Sequence, residues 1–196
     1  MTTKKRILID FDDCIGDFAP FICSYMNVVG KKSDIAEYKT YEFNLYHGMT
    51  NDQFIESVIN SRAFKLLQPR VDAIRGLQLL KLKGYEIIIV TARGMFERAY
   101  EDTKEWLNTY GAPYDELRIV DPSKEKKSDV YLEYGLASIA GLVDDALHNL
   151  KDASEVGVTP LCINRPWNED ASFEIHRFES IMEIAEKLPN TVALAA

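Results

Sequence analysis

The sequence predicts a parallel α/β sheet flanked by helices, with a helical lobe inserted after the first strand. Three observations carry this. From residue 71 onward, short aliphatic runs alternate with stretches of helical periodicity. Several of those runs end abruptly in polar or acidic residues. Residues 16–70 show helical spacing and no strand-like run.

The elements follow in order. KRILID, residues 5–10, reads as a buried strand. Residues 17–29 place Phe18, Phe21, Ile22, Tyr25, Met26 and Val29 at helical intervals. Residues 33–49 are rich in Tyr, Asn, Lys and Gly, and their periodicity does not assign an element. Thr50 and Asn51 can cap a helix that continues through Phe54, Ile55, Val58 and Ile59. The next helix spans 71–83 and stops at Gly84. The run 85–91 is β-branched from Ile87 to Thr91, as expected of a strand buried on both faces. A helix at 96–110 ends near Gly111 and Pro113, and 117–120 is a short strand. A helix at 128–134 and a strand at 139–143 precede Asp144 and Asp145. A helix at 146–156, a strand at 159–163 and a closing helix at 177–188 complete the chain. The division predicted is a core of 1–15 and 71–196 with a helical cap of 16–70.

The 196 residues suffice for one sizeable core and a small second lobe. The net charge of −8 argues against broad electrostatic binding to a nucleic acid polymer or an anionic membrane, but not against a small anion. No apolar run approaches the roughly 18 residues of a membrane span, and the N-terminal apolar stretch is too short for a signal peptide. Cys14, Cys23 and Cys162 lack CxxC spacing, which fits reduced thiols and a cytoplasmic location. His47, His148 and His176 lack metal-ligand spacing and read as surface or packing residues.

In an open parallel sheet, ligands bind beyond the carboxyl ends of the strands. Here three such ends carry DFDD, TARG and VDD. Asp10 and Asp12 are two apart and would share one side of an extended chain. With Asp144 and Asp145 they would form a hard, oxygen-rich site suited to Mg²⁺. Asp13 would point the other way, to solvent or to a helix cap.

This set resembles the haloacid dehalogenase superfamily of phosphohydrolases. The matching residues are ILIDFDDCI, IIIVTAR, a Lys from KEKKSD, and GLVDD, in that family's order over roughly 1–15 and 71–165. The resemblance implies a Rossmann-like parallel core, with the insertion after the first strand as a cap of the family's first type (C1). Within the superfamily the chain looks most like the 5′(3′)-deoxyribonucleotidase group and its bacterial and phage relatives. Length, the small cap, the DFDDCIGDF start, LCINRPWNED and the closing helix support that. Asp13 stands where the family has Gly, Cys14 where it has Thr or Val, and Ala92-Arg93 replaces the animal enzymes' dipeptide.

The roles below are what the resemblance implies. Asp10 is the nucleophile that forms an aspartyl-phosphate, and Asp12 the general acid and then base. The metal is held by Asp10, the Asp12 carbonyl and Asp145, with Asp144 as outer partner. Repulsion from metal-bound Asp10 would keep Asp12 able to hold a proton. Thr91 and the Ala92 N–H bind phosphate. Arg93 either grips phosphate or pairs with cap carboxylates. A Lys offsets transition-state charge, and among Lys124, Lys126 and Lys127 we select Lys127 because it immediately precedes SDVYLEYG, which opens the short helix before the VDD strand. Cys14 is expected to be a small buried thiol. Phe18, Phe21, Tyr41 and Phe43 can stack a nucleobase, but their helical spacing equally fits cap packing, which is the preferred reading.

The function expected is a Mg²⁺-dependent phosphomonoesterase acting on nucleoside monophosphates. The alternative substrate is a sugar phosphate or other small metabolite. A signalling receiver domain fits poorly, because receivers are shorter, lack the insertion and place Lys last. A catalytically silent binding module would be expected to lack Asp10 or Asp12.

Overall fold

The computed structural model describes residues 5–191. Among them, six parallel strands form one sheet in the order β3-β2-β1-β4-β5-β6. The elements in chain order are β1 (Arg6–Ile9), α1 (Phe18–Val29), α2 (Phe43–Tyr46), α3 (Asn51–Ser61), α4 (Ala63–Leu66) and α5 (Ala73–Leu82). There follow β2 (Glu86–Thr91), α6 (Ala99–Thr109), β3 (Glu116–Ile119), α7 (Lys127–Tyr134), β4 (Ile139–Asp144), α8 (Leu147–Glu155), β5 (Pro160–Ile163), β6 (His176–Phe178) and α9 (Ile181–Lys187). Among the described residues no helix is long and apolar enough to cross a membrane.

β1 lies between β2 and β4, with Ile9 beside Ile89 on one side and Val143 on the other. Its alternation sorts the core. Ile7 and Ile9 join Ile87 and Ile89 in the cluster under α5, α6 and α9. Leu8 joins Ile88 and Val90 in the opposite cluster under α7 and α8. Burying each such side chain stabilises the fold by about 1.5–3 kcal/mol, which is why the central strands are aliphatic almost without interruption. Asp10 continues the alternation of Leu8, and so belongs to the α7–α8 face.

Two readings of the sequence need correction. The helix expected at 177–188 begins four residues later, because His176–Phe178 pairs with β5 as the sixth strand. Ser180 then caps α9 by accepting from the Glu183 N–H at 3.2 Å. Period-based reading missed β6 because three residues are too few to show alternation. In the stretch left unassigned at 33–49, a 3₁₀ turn at Ile35–Glu37 and the short α2 form around buried Tyr38, which stacks on Phe43 at 4.9 Å.

Between β1 and α5 the described elements are all helical. Entry to and exit from this segment run side by side. Asp17 N–H donates to the Gln68 carbonyl, Arg70 N–H donates to the Ile15 carbonyl, and Arg70 pairs with Asp17 at 2.8 Å. Gly16 sits in this crossing, where a Cβ would collide with the side chains of Leu67 and Phe11. The segment's buried residues, Phe18, Ile22, Tyr38, Phe43, Val58 and Phe64 among them, join the same apolar cluster as one face of the sheet.

Candidate active site

The carboxyl ends of β1, β2 and β4 meet because these strands are neighbours in register. The Asp10 N–H donates to the Val143 carbonyl at 2.8 Å, which brings Asp10 level with Asp144. Asp10, Thr91, Asp144 and Asp145 are all buried.

Lys127, the first residue of α7, joins this group. Its Nζ lies 2.8 Å from Asp10 Oδ1 and 2.8 Å from Asp144 Oδ2, with its side chain 4% exposed. Burial would lower the Lys127 pKa, but the Asp10 and Asp144 carboxylates outweigh it and hold the ammonium well above the ordinary lysine range. Lys124 and Lys126 stand outside, exposed and paired with Asp121 and Asp152. Asp144 is fully committed. Besides Lys127 it accepts from the Ala146 N–H at 2.9 Å and from Asn149 Nδ2 at 3.1 and 3.3 Å. It therefore acts here as the anchor of Lys127.

Asp145 differs. Its Oδ2 accepts from Trp167 Nε1 at 2.7 Å, while Oδ1 is buried without a hydrogen-bond partner in the protein. Ligand atoms of Asp10, Cys14 and Asp145 lie within 4.8 Å of one another. Burial raises the Asp10 pKa to about 7 against the pull of Lys127, and Asp144 and Asp12 add to the rise. Burial and the neighbouring Asp13, Asp144 and Asp10 raise Asp145 well above the carboxylate range. Two buried carboxylates whose charged forms are this disfavoured, one with an unused oxygen, suit a divalent cation bound by hard oxygen ligands. Thr91 Oγ1 is likewise buried without a partner, at the end of β2. The Cys14 thiol is buried, and its pKa is raised by desolvation and by Asp145, Asp10 and Asp144.

Asp12 and Arg93 form a unit of their own. Arg93 Nη2 and Nε donate to the two Asp12 oxygens at 2.5 and 2.8 Å. Arg93 thus pairs with Asp12 rather than with a carboxylate of the cap. Both Asp12 carboxylate oxygens are here hydrogen-bond acceptors from Arg93.

Asp13 corrects the expectation of a solvent-facing acid. It is fully buried with φ 57°, so the extended-chain rule for its direction does not apply. Both its oxygens accept from the Ala19 N–H, at 2.9 and 3.1 Å, at the start of α1. The helix-capping half of the expectation describes it. Burial outweighs that bond and Arg165, and raises its pKa to about 7.

A cleft of about 290 Å³ opens onto Asp12, Ala92 and Arg93. Phe18, Tyr41, Phe43, Phe54, Phe64 and Phe96 are in its wall. Phe18 also packs at 6.3 Å on Phe64, so packing and cleft lining coincide in one residue. Tyr41 is 42% exposed, yet desolvation and the nearby Asp145, Asp10 and Asp12 push its hydroxyl pKa up.

Sequence reasoning assigned no role to Trp167, Asn168 or Arg165, although they follow the β5 end. Asn168 Nδ2 donates to the carbonyls of Asp145 and Ile163, and Arg165 donates to the Asp13 carbonyl. Trp167 also packs on Phe43 at 4.9 Å, linking the inserted helices to Asp145. The strand-end rule applied to NRPWN would have found them.

No sequence-family model matches the chain, and no curated protein matches it by sequence. Solved structures do match. A haloacid dehalogenase-like family hydrolase from Streptococcus pneumoniae superposes with a TM-score of 0.62 at 15% identity, over 95% of this chain and 99% of that one. A dehalogenase gives a TM-score of 0.65 at 16% identity, over 96% and 98%. The D,D-heptose 1,7-bisphosphate phosphatase from B. bronchiseptica, complexed with magnesium and phosphate, gives 0.53 at 15% identity, over 93% and 97%. The chain has the α/β fold that these haloacid dehalogenase-like hydrolases share.

Proposed function

We propose that this protein is a divalent-metal-dependent phosphomonoesterase that uses Asp10 as nucleophile and takes nucleoside monophosphates. The observation that carries the reading is Lys127 bridging Asp10 and Asp144 beside the unpartnered oxygens of Asp145 and Thr91. Lys127, with Arg165 near Asp13 and Asp145, faces four buried carboxylates, Asp10, Asp13, Asp144 and Asp145, and this excess of negative charge favours a bound divalent cation, through which an anionic phosphoryl group could be held. The heptose bisphosphate phosphatase of similar fold is complexed with magnesium and phosphate, which accords with this reading.

Asp10 and Asp145 would hold the ion, with the Asp12 carbonyl, and Mg²⁺ bound there would neutralise charge on the phosphoryl oxygens. The chain's own groups then divide the work. An Asp10 oxygen bonds to phosphorus as the ester P–O bond breaks, and the leaving alkoxide takes a proton from the Asp12 carboxyl. Water next attacks the aspartyl-phosphate, its proton passes to Asp12, and the Asp10–phosphorus bond breaks. Lys127 holds Asp10 in line and faces the developing charge, while Thr91 Oγ1 donates to a phosphoryl oxygen. The aromatic wall of the cleft supports a flat nucleobase over a sugar alone.

The test is phosphate release from p-nitrophenyl phosphate, 5′- and 3′-(deoxy)nucleotides and sugar phosphates, with Mg²⁺ or EDTA. Release should require Mg²⁺, favour nucleotides and vanish in Asp10→Asn. Activity surviving in Asp10→Asn would refute the covalent route, and sugar phosphates outrunning all nucleotides would refute the substrate.

A further inference from the structure

We infer that Arg93 is the positioning residue of the proton-transferring carboxylate, Asp12, and that it ties that carboxylate to the seating of the helical insertion. This rests on the phosphoryl-transfer reading above.

The guanidinium is 1% exposed, and its surroundings fix it on every side. Toward the site it forks onto both Asp12 oxygens. On the other edge, Arg93 Nη1 donates to Thr103 Oγ1 of α6 at 2.8 Å. Above and below it lie two rings. Phe11, next to Asp12 in the chain, is 4.1 Å from the guanidinium carbon, and Phe64, from α4, is 4.0 Å away. Phe64 in turn meets Phe96 edge-on at 4.9 Å. A planar cation between two ring faces has its orientation set by stacking as well as by hydrogen bonds.

The arrangement is more than a grip for phosphate. Three of the five guanidinium N–H donors, one on each nitrogen, are engaged within the protein, and the group is 1% exposed, so most of its donor capacity serves Asp12 and Thr103. A bidentate pair instead sets the torsion of the Asp12 carboxyl, and so the direction in which its remaining lone pairs face the cleft. A proton transferred to or from the substrate oxygen uses those lone pairs, and transfer depends on reach and angle. Phe64 belongs to the insertion, while Phe11 and Thr103 belong to the core. Displacing α4 would open one side of the sandwich and free the carboxylate to turn.

The test compares two leaving groups. p-Nitrophenolate departs with little protonation, whereas the ribose alkoxide of a nucleotide needs it. Arg93→Met should lose turnover on the best nucleotide at least about tenfold more than on p-nitrophenyl phosphate, with KM little changed. Asp12→Asn should show the same signature, and the double variant should be no slower than Asp12→Asn alone. Arg93→Lys, which keeps charge but not the fork, should recover little. Phe64→Leu should show the same bias more weakly, and it carries the test if Arg93→Met fails to fold by circular dichroism. An Arg93→Met protein with raised KM on every substrate and an unchanged leaving-group ratio would overturn the inference alone. A wild-type protein releasing no phosphate from either substrate would overturn the phosphatase reading and this inference with it.

Discussion

Lys127→Met is the most informative perturbation of the buried cluster. Lys127 is the cation shared by Asp10 and Asp144, at 2.8 Å from each. Even with it in place, burial raises Asp10 from 3.8 to about 7. Three pKa units correspond to about 4 kcal/mol of opposition to the charged form. Deleting one partner of a buried ion pair costs about 3–5 kcal/mol, so the variant should be destabilised by that order at alkaline pH. The pH dependence has a definite sign. The folded pKa of Asp10 lies above its unfolded value, so the folded chain holds the extra proton between pH 3.8 and about 7. Stability therefore falls as pH rises through that window. Without Lys127 the folded pKa rises further, the window extends above 7, and the deficit of the variant grows from pH 6 to 8.5. At pH 5 Asp10 is protonated in both proteins, and the deficit shrinks to what Asp144 loses. Lys127 itself stays charged throughout, since its pKa is raised above 10.5. Urea denaturation in EDTA at pH 5, 7 and 8.5 measures this. A deficit below about 1 kcal/mol at pH 8.5, or one independent of pH, would refute the reasoning.

Two further substitutions test other parts of the argument. Trp167→Phe keeps a ring against Phe43 but removes the 2.7 Å donor to Asp145 Oδ2. Metal affinity by calorimetry should fall about tenfold or more with the fold retained, and an unchanged affinity would show that Asp145 needs no orienting partner. Gly76→Ala puts a methyl group 2.6 Å from Met182 N and 2.7 Å from Ile181 C, where α5 crosses the start of α9. Although alanine favours helix by about 1 kcal/mol, the clash with backbone should leave a net loss of about 1–3 kcal/mol in urea, and a stabilised variant would contradict the packing described.

The fold was legible because its signals are local. ILI, EIIIVT and IAGLV are aliphatic enough to be recognised as buried strands without any partner, and their alternation with helical periods implies parallel pairing. β6 was hidden, since HRF becomes a strand only by hydrogen bonding to β5. The strand-end acids were legible too, because the topology of a parallel sheet gathers carboxyl ends on one edge.

What each member of that cluster touches is a different kind of question. Spacing put Asp10 and Asp12 on one side of an extended chain, but the chain turns at Asp13 with positive φ, and Asp13 is buried at the start of α1. The sequence by itself determined the parallel α/β core, the helical insertion and the acids available at the strand ends, because these follow from periodicity and order along the chain. Only the tertiary structure decided that Lys127 pairs with Asp144, that Trp167 donates to Asp145, and that Arg93, stacked between Phe11 and Phe64, donates to both oxygens of Asp12. The hydrogen-bonded partners lie 17 to 81 positions apart in the chain, and a charged group's state depends on which charges, dipoles and rings surround it in space.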